Sequence, residues 1–153
     1  MILAPANISA ANATKLSARS KARKRAVDAI FAADLRKESP SDLLNATKVQ
    51  VADRQNQDSI FDYASEIVDG VVNHHSEIDD LLETYSEGWS IERMPNVDRA
   101  ILRVGIWEIV YSETPNAVAV SEAVDLAKEY STEESGGFIN GLLSRVAGTR
   151  QAL

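Results

Sequence analysis

The sequence predicts an all-α fold, a single compact helical domain of about six to seven helices. Three observations carry this. Glycine and proline are sparse, 7 and 4 of 153 residues. Apolar residues recur at helical spacing, with no sustained strand-like alternation. The length suits one domain whose core is large enough to stand without staples, and there is no cysteine to supply a disulfide or a thiolate zinc site.

The elements follow in order. Residues 1–14 are Ala/Asn-rich and carry no lysine or arginine before Lys15. They read as a flexible tail ahead of a domain spanning 15–150. The tail lacks the positive and apolar regions of a secretory signal, and no run reaches the roughly 18 apolar residues of a membrane span. A cytoplasmic protein is expected, so the sequons at Asn12 and Asn45 carry no weight. A first helix is expected over about Leu16–Arg36. Ser39-Pro40-Ser41-Asp42 supplies an N-cap, a proline at the first helical position and an acid in the first turn, which starts a short second helix. A long helical stretch runs from Asp58 to about Tyr85, broken or bent near His74–Ser76. Pro95-Asn96 punctuates before a helix over Val97–Ser112, and Pro115 ends the next connection. Helices near Val118–Tyr130 and Gly136–Ala147 close the chain, with Ser131, Thr132 and Ser135 as caps.

The Val97–Ser112 helix is apolar nearly all round, because Asp98, Arg99, Arg103, Glu108 and Ser112 do not share a face. Such a helix belongs in the middle of a bundle. Phe138, Ile139, Leu142, Leu143 and Val146 form a stripe that suits packing against it.

Charge is divided. Sixteen Lys+Arg against 23 Asp+Glu give a net −7. Residues 1–27 hold six cations and no acid, so they carry +6, while ten cations and 23 acids leave −13 for the remainder. A basic arm facing a polyanion and a solubilising segment both fit this split. On the first helix Ala22, Ala26, Ala29, Ile30 and Ala33 make the core stripe, with Lys21, Lys24, Arg25 and Asp28 roughly opposite. Phe31 projects near Lys24. A ring among cations suits stacking on an unpaired base while the cations hold phosphates; packing against another helix or a second copy is the other reading. Cations in the first turns of a helix also oppose its dipole, which a polyphosphate would reverse.

Other constellations are weaker. Ser135-Gly136-Gly137-Phe138 would leave bare amides at a helix start, a setting for phosphate, while Phe138 itself suits the core stripe. His74 and His75 are adjacent and diverge on a helix, so they do not chelate as an i, i+4 pair would. Glu77, Asp79, Asp80 and Glu83 read as a solvated face or a surface for a basic partner. No serine–histidine–acid motif, Walker loop or dinucleotide fingerprint is present, so no catalytic residue, cofactor or metal is assigned.

The run from Ala18 to Phe31 resembles the arginine-rich first helix of the NusB family of transcription antitermination factors. Asn96–Glu108 resembles that family's central helix, and Val120–Lys128 and Gly137–Leu143 its last two. The resemblance implies two small helical subdomains. It also implies binding to the boxA element of ribosomal RNA leaders jointly with the ribosomal protein NusE, within the antitermination complex on RNA polymerase. By position it assigns Arg19, Lys21, Arg23, Lys24, Phe31, Arg99 and Phe138 to RNA, and Glu92 and Asp98 to NusE. Ser20 stands where the family commonly has arginine, and Phe31 where it often has tyrosine. Some members dimerise through the RNA face, so a homodimer would compete with RNA. A self-associating helical module without direct RNA binding, and an RNA-holding domain related to ribosomal RNA methyltransferases, are the alternatives; the length leaves no room for a cofactor-binding domain. With about four phosphates contacted, log affinity should fall with log salt at a slope near −3.

Overall fold

The computed structural model describes the backbone of residues 3–51 and 57–152 and the side chains of residues 18–51 and 57–149. Seven α-helices are present among the described residues: α1 (Leu3–Arg36), α2 (Pro40–Gln50), α3 (Asp58–Asn73), α4 (His75–Tyr85), α5 (Asn96–Tyr111), α6 (Asn116–Tyr130) and α7 (Glu133–Ala152), with a 3-10 turn at Ile91–Arg93 before α5.

The first helix is longer than its apolar pattern suggested. It is helical from Leu3, so the segment read as a flexible tail belongs to α1 from that residue onward. Five alanines between residues 3 and 14 favour the helix, and Pro5 falls in the first turn, where its missing N–H is not needed. This changes an electrostatic expectation. The Arg19–Arg25 cations lie several turns inside the helix, where the dipole has little effect, and no penalty is stored there.

Local chemistry sets the other boundaries as expected. Ser39 caps α2 by accepting the Asp42 N–H at 3.4 Å, with Pro40 at the first helical position. His74 separates α3 from α4. Thr132 Oγ1 accepts the Ser135 N–H at 3.0 Å and so caps α7, which starts at Glu133, three residues before the expected Gly136.

Two groups of helices share one core. α1, α2 and α3 pack on one another, α4, α6 and α7 pack around α5, and α1 and α3 also lie against α5. Every residue from Ala100 to Ile109 is buried, which fits a helix apolar on all sides. Ile101, Leu102, Ile106 and Ile109 meet Phe61 and Ile67 of α3, Ile78 and Leu82 of α4, and Ile139, Leu142 and Leu143 of α7 in one continuous cluster. The approach of α3 to α5 is close enough to demand glycine: a methyl at Gly70 would lie 1.9 Å from the Trp107 indole nitrogen.

Candidate nucleic-acid interface

The alanine stripe of α1 turns inward as predicted, with Ala22, Ala26, Ala29, Ile30 and Ala33 all buried. Small side chains let α1 lie close to α3 and α5, and the intervening positions are thereby presented on its other sides. Arg19 and Lys21 are exposed. Lys24 is half-exposed, 2.5 Å from Glu129 and 5.8 Å from the Tyr130 ring centre. Phe31 is half-buried and packs against the core, so it is not a ring held free in solvent. Phe31 stands three residues before Asp34, which Arg99 of α5 reaches at 3.3 Å.

Arg23 departs from the expected outward placement. It is 5% exposed and bridges two carboxylates: Nε donates to Glu108 Oε1 at 2.7 Å and Nη1 to Glu122 Oε1 at 2.7 Å. Ser20 Oγ also donates to Glu122. Burial pulls the Arg23 pKa down, but the hydrogen bond and charge of Glu108, with the charge of Glu122, outweigh it and leave the pKa raised. The family resemblance assigns it to RNA by position. The reason it turns in is the 1% exposed Glu108, whose charge inside the bundle must be compensated. Glu108 also accepts the Tyr63 hydroxyl at 2.6 Å and the Thr114 hydroxyl at 3.1 Å.

Around the N-terminus of α5 the remaining expected residues gather. Arg99 donates to Asp34, to the Ile91 carbonyl at 2.9 Å and to Asn96 Oδ1 at 2.5 Å, tying the 3-10 turn to α1. Phe138 of α7 meets Trp89 edge-on at 5.0 Å between ring centres. The two rings line a cleft of about 490 Å³ with Gly88, Pro95, Thr132 and Ser135. Glu92 is exposed on the 3-10 turn.

Asp98, which the resemblance assigns to NusE, is turned into the bundle. It is fully buried, its Oδ2 accepting Ser135 Oγ at 2.7 Å and its Oδ1 meeting no hydrogen-bond donor. It sits in the first turn of α5 and is held by a residue in the first turn of α7, so two helix N-termini favour its charge. The Gly136–Gly137 pair likewise differs from expectation. Because α7 begins earlier, the Gly136 N–H is already bonded to the Thr132 carbonyl at 3.0 Å and is not a bare amide.

The histidines lie where α3 gives way to α4. His74 stacks on Tyr111 at 3.8 Å, and His75 lies 3.3 Å from Asp79. Asp79, from the expected acidic face, is bound by Arg103 through two hydrogen bonds of 3.0 and 3.1 Å. Sequence reasoning missed Trp89, Tyr63, Glu122 and Tyr130. Only Tyr63 carried a usable signal, since a polar-tipped aromatic within a buried stripe requires a hydrogen-bond partner.

These features define a helical binding module: a bundle that pairs Arg23 with Glu108 and Arg103 with Asp79 and turns lysine, arginine and aromatic edges outward from two of its helices. A model of the NusB family matches residues 20–148. The transcription antitermination protein NusB of Clavibacter michiganensis subsp. michiganensis is 50% identical over 136 residues, covering 88% of this chain and 99% of its own. That of Pseudarthrobacter chlorophenolicus is 52% identical over 140 residues, covering 90% and 98%. A crystal structure of the antitermination factors NusB and NusE in complex with dsRNA contains a chain 32% identical to this one, with a TM-score of 0.76, covering 87% of this chain and 98% of that one. The chain belongs to the NusB family of transcription antitermination factors.

Proposed function

We propose that the chain binds the boxA RNA of ribosomal RNA leaders together with NusE, and that this complex acts on transcribing RNA polymerase in the cytoplasm. The observation that carries the reading is the outward placement of Arg19, Lys21 and Lys24 on one helix of a protein whose net charge is −7. Positive charge concentrated on one helix of an acidic body attracts a phosphate chain to that helix, while the acidic remainder repels it. The solved relative with NusE and dsRNA supports the same partners.

Arg19, Lys21 and Lys24 make the phosphate contacts in this reading. Phe31 and Phe138 offer ring edges to bases, and Arg99 holds the 3-10 turn in place beside them. Glu92, exposed on that turn, meets NusE. Arg23 and Asp98 act from inside, Arg23 by fixing α1 on α5 and α6, Asp98 by joining α5 to α7. Among the described residues no helix is long and apolar enough to cross a membrane. Self-association through the α1 face would cover Phe31 and compete with RNA.

An electrophoretic mobility shift of boxA RNA with this chain, with and without NusE, tests the reading. NusE should strengthen the shift, since a basic ribosomal protein offsets the acidic body. No improvement by NusE contradicts it.

A further inference from the structure

Tyr63 has no part in the contacts assigned so far, yet it stands directly beneath one of them. The Arg19 guanidinium carbon lies 3.9 Å from the centre of the Tyr63 ring. The ring is 7% exposed, and its hydroxyl is fixed by the 2.6 Å bond to Glu108. Burial raises the Tyr63 pKa, and the bond to Glu108 raises it further, so the phenol keeps its proton and donates. Donation to a carboxylate draws electron density toward the ring, which deepens its attraction for a cation over its face.

We propose that Tyr63, held by Glu108, is a positioning residue that presents Arg19 to an RNA phosphate. The proposal rests on the reading of α1 as the RNA-binding helix. An arginine on an open helix surface samples many rotamers. One laid over a fixed ring uses its flat face for the ring and leaves its edge N–H groups for a phosphate, which it can grip with two parallel bonds. Among the described residues Arg19 has the Tyr63 ring as its partner and no side-chain hydrogen bond or ion pair. The surroundings set the direction of approach. Tyr63 and Arg19 line a cleft of about 650 Å³ with Glu66, Glu113, Thr114 and Val118. The two glutamates repel phosphate from the cleft interior, so the strand meets Arg19 on the α1 side. The chain Glu108–Tyr63–Arg19 thereby links the buried charge of α5 to the exposed edge of α1, and a lysine in place of Arg19 would keep the charge but lose the flat face.

Binding of single-stranded boxA RNA in the presence of NusE, followed over a range of salt, tests this with Arg19→Ala, Tyr63→Leu, the double variant and Tyr63→Phe. Arg19→Ala should weaken binding roughly 5–10-fold at low salt and flatten the salt slope by about 0.7, one phosphate on a single strand. Tyr63→Leu should reproduce both changes, and the double variant should be no worse than either single one. Tyr63→Phe, which keeps the ring, should retain most of the affinity. Losses that multiply in the double variant, or a folded Tyr63→Leu that binds as the parent does, overturn the proposal. If Tyr63→Leu does not unfold cooperatively, Arg19→Lys replaces it: weaker binding at an unchanged slope supports the platform, and unchanged affinity overturns it. An Arg19→Ala variant that binds like the parent at every salt removes the RNA reading of this arginine itself, an outcome distinct from failure of Tyr63 alone.

Discussion

Arg23 and Glu108, 85 residues apart in sequence, are joined by a 2.7 Å hydrogen bond that is almost fully removed from water. Charges in that setting cannot be removed singly. Arg23→Ala leaves Glu108 buried with only hydroxyl donors, and should destabilise the fold by about 3–5 kcal/mol in urea denaturation. Replacing both, as Arg23→Met with Glu108→Leu, should cost much less than the two single changes added together. Additive losses would mean that the pair is not coupled.

Asp98 should behave as an internal group. Asp98→Ala strands Ser135 and should lower stability by about 1–3 kcal/mol, whereas Glu92→Ala should change stability by no more than about 0.5 kcal/mol. Calorimetric titration with NusE should show weaker binding for Glu92→Ala. A stable Asp98→Ala that selectively loses NusE would restore Asp98 as a contact.

Two glycines should respond oppositely to the same substitution. At Gly70 a methyl meets the rigid Trp107 indole, so Gly70→Ala should destabilise by about 1–3 kcal/mol. At Gly137, inside α7, nothing lies within 4 Å of the added carbon. Gly137→Ala should therefore stabilise by about 0.5–1 kcal/mol, the helix-propensity difference. Thermal unfolding of both variants checks the contrast.

The sequence made the architecture readable to the extent that periodicity reports burial. The all-round apolar surface of α5 marked it as the central helix, but the internal partners of Asp98, Arg103 and Glu108 could not be read from it. Which partners they find depends on α1, α4, α6 and α7 arriving from distant parts of the chain. Helical spacing puts Lys21 opposite the alanine stripe and Arg23 at its edge, but only the distant Glu108 and Glu122 decide that Arg23 turns in while Lys21 stays exposed. The start of α1 was hidden for a different reason: alanine and asparagine residues carry no amphipathic pattern, so helicity before Leu16 rests on propensity alone. Lys37, which closes α1 with φ 56°, shows the reverse case, a left-handed position that sequence would have given to glycine.

Alkaline pH should weaken the fold through Tyr130. Burial pushes its pKa up to about 12, reinforced by Asp28 and Glu129. Below pH 10 the phenol is neutral in both states and its contribution is complete. As pH rises from 10 toward 12 the unfolded chain ionises first, so stability falls across that window. Tyr130→Phe should reduce the fall in unfolding midpoint between pH 10 and 12. An identical fall in the variant would assign the effect elsewhere.

The central claim is that α1 grips a phosphate chain with the cations it turns outward. Of the four α1 cations that the resemblance assigns to RNA, Arg23 is internal, which leaves Arg19, Lys21 and Lys24 for the phosphates. The most direct measurement is the affinity of this chain for single-stranded boxA RNA as a function of salt at fixed temperature. A log–log slope of about −2, three phosphates at roughly 0.7 each, is the expected result. A slope near zero would contradict the claim.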